Sequence, residues 1–468
     1  MKKIVIIFVS ISIVFILCYW WAIRHKSSFE SGQSQYEQLR SQAYAIVNAQ
    51  NFDALAFKNF LKQQNDYHFY NWPREFWYSL TFADPRGDVT LYQDLIMSVA
   101  LGLDRLQQVE QLAPGIKKKI IGILNRRTYL WHDWPWENHY AREYAALAAL
   151  AETVGDPRLS RYQNKLHKSL TYIFKADGSS TEGVAYGYYN LNLLVPYYYI
   201  SGDEWVKNFI INFYNWTANL AAADGELPPF GDSHYLKLPT SLSSFNFVNT
   251  ALPGIALPIA QSQDYYGPNE TVIKKQSYTL WLRHQQKLSG KTYHSHYSAG
   301  EIIFKTAADW WLVPSGYYNN GQKLNKPYLY NLASRRQRRS NWGWRLRSIL
   351  GKDYRTNFRK ENKEIQLILP DKIIRRIDLG EEGFTVVDEN SKIFYVYWHI
   401  LGEIVERNKL ADGLELVFKQ NQNFLQAKFK GYDEILISQE RHTLPNPHYE
   451  KDIFIQLKGK KIQSQFSL

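Results

Sequence analysis

Three regimes of hydrophobic patterning follow one another along the chain. The first is a run of 20 residues without a charge, Ile4 to Ile23, flanked by Lys2 and Lys3 before it and by Arg24, His25 and Lys26 after it. That is enough helix to cross a bilayer core of roughly 30 Å. The run ends in Tyr19, Trp20 and Trp21, which suit an interfacial aromatic belt. A cleaved signal peptide has a shorter apolar core and a small-x-small site. Leu17, before Cys18, is too large for the usual lipobox. The pattern predicts an uncleaved signal anchor over residues 1–26. Both flanks are basic, so charge does not set the orientation; the expectation is an exported body, periplasmic or extracellular.

From about Glu37 to Asn269 the apolar spacing is helical. Glu137–Val154 carries an Ala/Leu-rich face, broken by Gly155-Asp156-Pro157 and answered by a returning helix over Leu159–Phe174. Tyr189–Ile200 pairs in the same way with Glu204–Ala223. Such antiparallel pairs in series fit a helical bundle, a solenoid or a closed toroid, and the periodicity does not choose among them. After about Ser277 the period drops to two. Ser277–Arg283, Glu301–Thr306, Trp310–Pro314, Glu364–Leu369, Phe384–Asp388, Ile393–Ile400, Leu414–Lys419, Phe424–Phe429, Glu434–Gln439 and Asp452–Leu457 read as short strands of an antiparallel β-sandwich.

Composition narrows the field. Charged residues are 21% and apolar residues 45%, which excludes a disordered chain. A single cysteine excludes a disulfide framework and any multi-Cys metal site. The net charge of +12 suggests an acidic partner. Residues 323–360 hold twelve Lys and Arg against the single acid Asp353. Within them Arg335, Arg336, Arg338 and Arg339 lie beside Trp342 and Trp344. Nucleic acid would fit such a tract in a cytosolic protein; behind an anchor, an acidic polysaccharide or lipid headgroups fit better. A solvated basic loop is the plain alternative.

Four short segments carry candidate chemistry: Trp136-Glu137-Asn138-His139-Tyr140, Asp177 to Tyr189, Pro228-Pro229-Phe230-Gly231-Asp232-Ser233, and Tyr293-His294-Ser295-His296-Tyr297. The second, with its DGS-x-x-EGVAYG-x-Y string, and the first together resemble the heparinase II/III-like polysaccharide lyases, and especially the related dermatan sulfate epimerases. The likeness covers roughly residues 60 to 320. It implies an (α/α) toroid of helical hairpins as catalytic domain at 60–270 and an antiparallel β-sandwich at 271–468. With the transmembrane anchor at 1–26, a linker and first helix at 27–59 and a basic insertion at 323–360, the expectation is an α+β multidomain chain.

The resemblance also implies the chemistry. Cleaving a 4-linked uronate by β-elimination removes a proton from C5, next to a carboxylate, and that proton leaves only if the growing negative charge is neutralised. By resemblance, Asn138 and His139 hydrogen-bond the carboxylate, in the manner of an oxyanion hole. Tyr186 and His294 carry protons as acid and base, a contribution of about 10²–10⁴-fold. Tyr186, with a reference pKa of about 10, is a natural acid. Glu182, Tyr189 and the four arginines of the basic tract complete the expected substrate contacts. The bland readings are a capped helix start for Asn138-His139, a turn shaped by Glu182-Gly183, and helix packing for Tyr188, Tyr197, Tyr198 and Tyr199.

The family commonly shows H-x-H-x-D, and here the Asp position is Ser298. Val313-Pro314-Ser315-Gly316 likewise carries no acid where members have one. No zinc site is therefore expected, no cofactor is implied, and His296 and His399 read as packed histidines. The expected partners are an acidic, uronate-containing polysaccharide and, through the N-terminal helix, a membrane, with no nucleic acid. A C5-epimerase would use the same residues, and a non-catalytic polysaccharide-binding or export factor would keep the surface without the turnover. A hydrolase would need two carboxylates about 5–9.5 Å apart, and nothing pairs Glu143, Glu182 and Asp232.

Overall fold

The structure, a computed structural model, describes residues 26–63, 86–118, 120, 138–181, 183–230, 233, 235–250, 252, 254–284, 299–314, 331, 333–335, 357–369, 372–441 and 451–468. The helices are α1 (Lys26–Asn48), α2 (Ala54–Gln63), α3 (Arg86–Gln107), α4 (Asn138–Val154), α5 (Leu159–Ile173), α6 (Val184–Ser201), α7 (Glu204–Leu220) and the short α8 (Asn246–Thr250). The starts of α2 and α7 are capped by aspartates. Asp53 Oδ1 accepts Ala56 N–H at 2.9 Å before α2, and Asp203 Oδ1 accepts Trp205 and Val206 N–H at 3.1 and 3.3 Å before α7. α4 is buried on nearly every side, as its Ala/Leu composition allows, and packs on α3.

The strands follow. β1 (Glu226–Leu227) and β2 (Leu236–Lys237) pair with each other. β3 (Tyr265–Tyr266), β4 (Glu270–Lys274), β5 (Tyr278–Arg283), β6 (Glu301–Thr306) and β7 (Trp310–Leu312) form an antiparallel meander. β8 (Ala333–Ser334), β9 (Asn357–Glu361), β10 (Glu364–Ile368) and β11 (Ile374–Leu379) lead to the long β12 (Gly383–Ile400). β13 (Glu403–Leu410), β14 (Gly413–Gln420), β15 (Asn423–Lys430), β16 (Glu434–Arg441) and β17 (Lys451–Ser467) complete the chain. β14 alternates inward and outward as a strand over a core must. The core gathers Phe304, Trp311, Phe384, Trp398, Phe429 and Phe466. Arg375 and Asp388 form a bidentate ion pair, at 2.8 and 2.9 Å, with side chains 0% and 1% exposed.

The chain divides into two compact units, residues 1–171, 190–210 and 241–255 in the first, and residues 172–189, 211–240 and 256–468 in the second.

The expected fold class, an anchor followed by a toroid and then a sandwich, needs correction. Among the described residues no helix is long and apolar enough to cross a membrane. The two longest explain why. α1 is a polar 23-residue sequence, and α3 carries Arg86, Asp88, Asp94, Asp104 and Arg105 within 22 residues. The expected span, residues 4–23, lies outside the described residues. Nor do helices and strands fall into separate units, and hydrogen-bond pairing joins the strands rather than leaving two unlinked sheets. Fifteen strands, β3 to β17, belong to one sheet, and segments 172–189 and 211–240 share a unit with it. β12 is the physical reason for the single sheet. Its first half pairs with β11, its end pairs with β7, and β17 runs along both halves across an irregularity between Glu389 and Phe394. A bulge of this kind bends a strand, so that one strand can serve two ladders.

Candidate active site

In the second unit the chain is shaped around Tyr186. A tight turn bridges Phe174 to Ser180, with Lys175 N–H bonded to the Ser179 carbonyl at 2.9 Å. Asp177 Oδ1 holds the turn by accepting Ser179 N–H at 3.1 Å and Ser179 Oγ–H at 2.7 Å. Thr181 N–H then bonds back to the Ile173 carbonyl at 2.8 Å. Gly183 follows with φ of +93°, and a Cβ there would stand 2.7 Å from the Phe230 carbonyl oxygen. Only glycine takes that conformation in that space without strain. α6 begins at the next residue, and Ser233 Oγ accepts Ala185 N–H at 3.1 Å. A Cβ on Gly187 would run into the Phe213 ring, so α6 packs against α7 at van der Waals distance there.

Tyr186 therefore sits in the first turn of a helix tied down on both sides. Its ring is half-buried and meets Tyr189 edge-on, with centroids 6.2 Å apart at 77°. Tyr188 is committed to packing. Its hydroxyl donates to Thr217 Oγ1 at 3.0 Å and its ring lies 5.0 Å from Phe213. Burial pushes its phenol well above the ordinary range, against the weaker opposing effect of the Thr217 bond.

In the first unit, Asn138 and His139 are the opening residues of α4. Asn138 is 1% exposed, and its Nδ2 has no hydrogen-bond acceptor among the described residues. Sequence reasoning missed the groups beneath them. Gln93 Nε2 donates to the His139 carbonyl at 2.8 Å, Arg142 Nε donates to Gln93 Oε1 at 3.2 Å, and Arg142 Nη2 donates to Asp94 Oδ1 at 2.6 Å. Burial raises the Asp94 carboxyl, and the nearby Arg142 and Arg40 pull it back only in part. No short motif signals this set, because Gln93 and Arg142 are 49 positions apart.

The remaining site residues distribute as follows. Tyr186 and Tyr189 are brought together in one unit; Asn138 and His139 adjoin in the other. Arg335 is described and exposed. Glu182, His294, Arg336, Arg338 and Arg339 lie outside the described residues, as do Asp232, His296 and Ser298. His399 is fully buried, with Nδ1 at 2.8 Å from Asp452 Oδ2, so it is a core histidine. Among the described residues no group of three or more His, Cys, Asp or Glu is arranged to hold a metal ion.

No family model and no curated protein sequence matches this chain. Solved structures do. A mutant of heparan sulfate lyase HepC from Pedobacter heparinus is similar at a TM-score of 0.56 and 10% identity, over 95% of this chain and 90% of that one. The HepC structure without the mutation gives 0.56 at 9% identity over the same shares. A chondroitin AC lyase from Streptomyces coelicolor A3, in complex with chondroitin sulphate, gives 0.41 at 11% identity over 93% and 83%. The HepC likeness establishes a shared fold along nearly the whole chain. These neighbours are polysaccharide lyases.

Proposed function

We propose that this protein is a polysaccharide lyase that cleaves a uronate-containing acidic polysaccharide by β-elimination. Fold alone does not carry an activity, which lives in the site. The observation that carries the reading is the mounting of Tyr186. It is a half-buried phenol in a helix's first turn, fixed by Gly183, by Ser233 and by the close approach at Gly187. A side chain that must meet a proton within a few tenths of an ångström needs such a mounting.

In this reading Asn138 and His139 take the two oxygens of the uronate carboxylate. Their hydrogen bonds strengthen as negative charge gathers there. Removal of the C5 proton leaves an electron pair that becomes the C4=C5 double bond as the C4–O4 bond breaks. The departing O4 takes a proton. Tyr186 and His294 divide the roles of base and acid, and the first turn of α6 gives Tyr186 a surrounding that favours negative charge. Asn138→Ala and His139→Ala should each lower kcat more than they raise KM, since their bonds act on charge that develops in the transition state.

Incubating the protein with a panel of uronate polymers tests the reading. A rise in ultraviolet absorbance marks the new double bond conjugated to the carboxylate. Deuterium uptake at C5 with no absorbance would replace lyase by epimerase. Retention of polymer with neither signal would make the protein a binder.

A further inference from the structure

Gln93, on α3, has none of its surface exposed. Both ends of its side-chain amide are engaged, Nε2 by the His139 carbonyl and Oε1 by Arg142 Nε. A carbonyl cannot donate and a guanidinium cannot accept, so these partners allow the amide one orientation only. Arg142, 2% exposed, is in turn bound to Asp94, the neighbour of Gln93. The chain of contacts His139–Gln93–Arg142–Asp94 thus clamps α3 to the first turn of α4 with neutral and charge-assisted bonds.

The first turn of a helix is its least determined part, because its N–H groups lack partners within the helix. Asn138 Nδ2 has no acceptor of its own among the described residues to set its direction. The aim of the Asn138 side chain therefore follows from the backbone beneath it, and Gln93 grips that backbone at the His139 carbonyl. We propose that Gln93 is a positioning residue for the elimination, holding the His139 carbonyl so that Asn138 and His139 stay in register with the uronate carboxylate. This rests on the lyase reading above for its chemistry, though not for its geometry.

Gln93→Glu isolates the bond. It keeps an acceptor for Arg142 and replaces the donor facing His139 by a second acceptor. On the polymer that the wild type cleaves, kcat should fall about 10- to 100-fold, the scale of a misplacement near 1 Å. KM should hold near the wild-type value, as should the number of binding sites for a uronate oligosaccharide counted by calorimetry. A merely structural residue would instead lose sites and melting temperature together. Should this variant fail to fold, Gln93→Met removes the same donor without bringing a charge into the core.

A second readout does not need turnover. With asparagine labelled by nitrogen-15 in the full chain, the Asn138 side-chain amide is identified by its loss in Asn138→Ala. Gln93→Glu should shift that resonance while most other asparagine amides stay in place. An inert wild type would overturn the lyase reading, and the resonance would then decide the positioning role by itself. An unmoved Asn138 resonance, or a kcat equal to that of an active wild type, would overturn the inference about Gln93.

Discussion

Ser233 Oγ accepts the backbone N–H of Ala185 at 3.1 Å, across 48 positions of sequence. The contact joins two segments that the sequence offers separately, the glycine-rich string around Tyr186 and the Pro-Pro-Phe-Gly-Asp-Ser segment. It supplies the helix start with a capping acceptor from a distant part of the chain. Ser233 is 1% exposed, and its loss leaves the part-buried Ala185 N–H without this acceptor.

Ser233→Ala should cost about 1 kcal/mol of stability, the usual value of a lost cap. It should also lower kcat, because Tyr186 is the residue after Ala185. Urea denaturation and initial rates on the same preparations check both. A stability loss with full activity would show that the cap serves the fold alone.

The start of α7 should make acid stability depend on one carboxylate. Asp203 Oδ2 meets His167 Nε2 at 2.7 Å and accepts Tyr197 O–H at 2.9 Å. Burial by itself raises this carboxyl, but the His167 and Tyr197 bonds and the Val206 N–H outweigh it, and the net value is lowered. A lowered folded value stabilises the protein above the ordinary Asp range of about 3.9 and loses that contribution as pH falls through the lowered value. Asp203→Asn keeps a capping side chain and removes the charge. It should cost about 1–2 kcal/mol at pH 6, with the gap to wild type closing below about pH 4. Melting curves at pH 6, 4 and 3 test this; a gap that widens toward acid would contradict it.

Arg375 also binds the Gly300 carbonyl at 2.5 Å, so the buried pair with Asp388 ties β11 and β12 to the entry of β6. Removing one partner strands a charge in the core. Arg375→Met or Asp388→Leu should each cost about 3–5 kcal/mol. The double replacement should be far less costly than the two losses added, since the pair is coupled. Denaturant midpoints of the three variants close that cycle, and simple additivity would mean the two side chains do not act as a pair.

Much of the element pattern was legible, and its failures have identifiable causes. The returning helix after Gly155-Asp156-Pro157 is where the spacing puts it, as Leu159–Ile173. The strand read over Glu301–Thr306 is β6 to the residue. α6 starts at Val184, five residues before the helix that its apolar spacing suggests, because Glu182-Gly183 reads as a turn and the glycines on either side of Tyr186 interrupt the spacing. Gly187 is instead a packing glycine inside the helix, explained only by Phe213. β12 reads as two strands because Glu389 to Lys392 is polar, and that interruption is the irregularity in its pairing with β17. β13 escapes notice since Glu403–Leu410 is mostly exposed and charged. β11 hides a buried arginine, Arg375, in an inward position. Whether helices close into a ring, or strands join one sheet, depends on contacts that periodicity does not encode. The pairs Asn138-His139 and Tyr186–Tyr189 were visible as motifs. Gln93 was not, and neither was the contact of Ser233 with Ala185, since each acts across nearly 50 positions.

The most direct test of the account is the turnover of Tyr186→Phe set beside its affinity for the same uronate polymer. The substitution removes one hydroxyl and keeps the ring that meets Tyr189. With Tyr186 as proton carrier, the rate of double-bond formation followed by ultraviolet absorbance should fall by at least about 100-fold, while polymer binding stays near wild type. Turnover equal to that of the wild type would contradict the elimination mechanism proposed for this site.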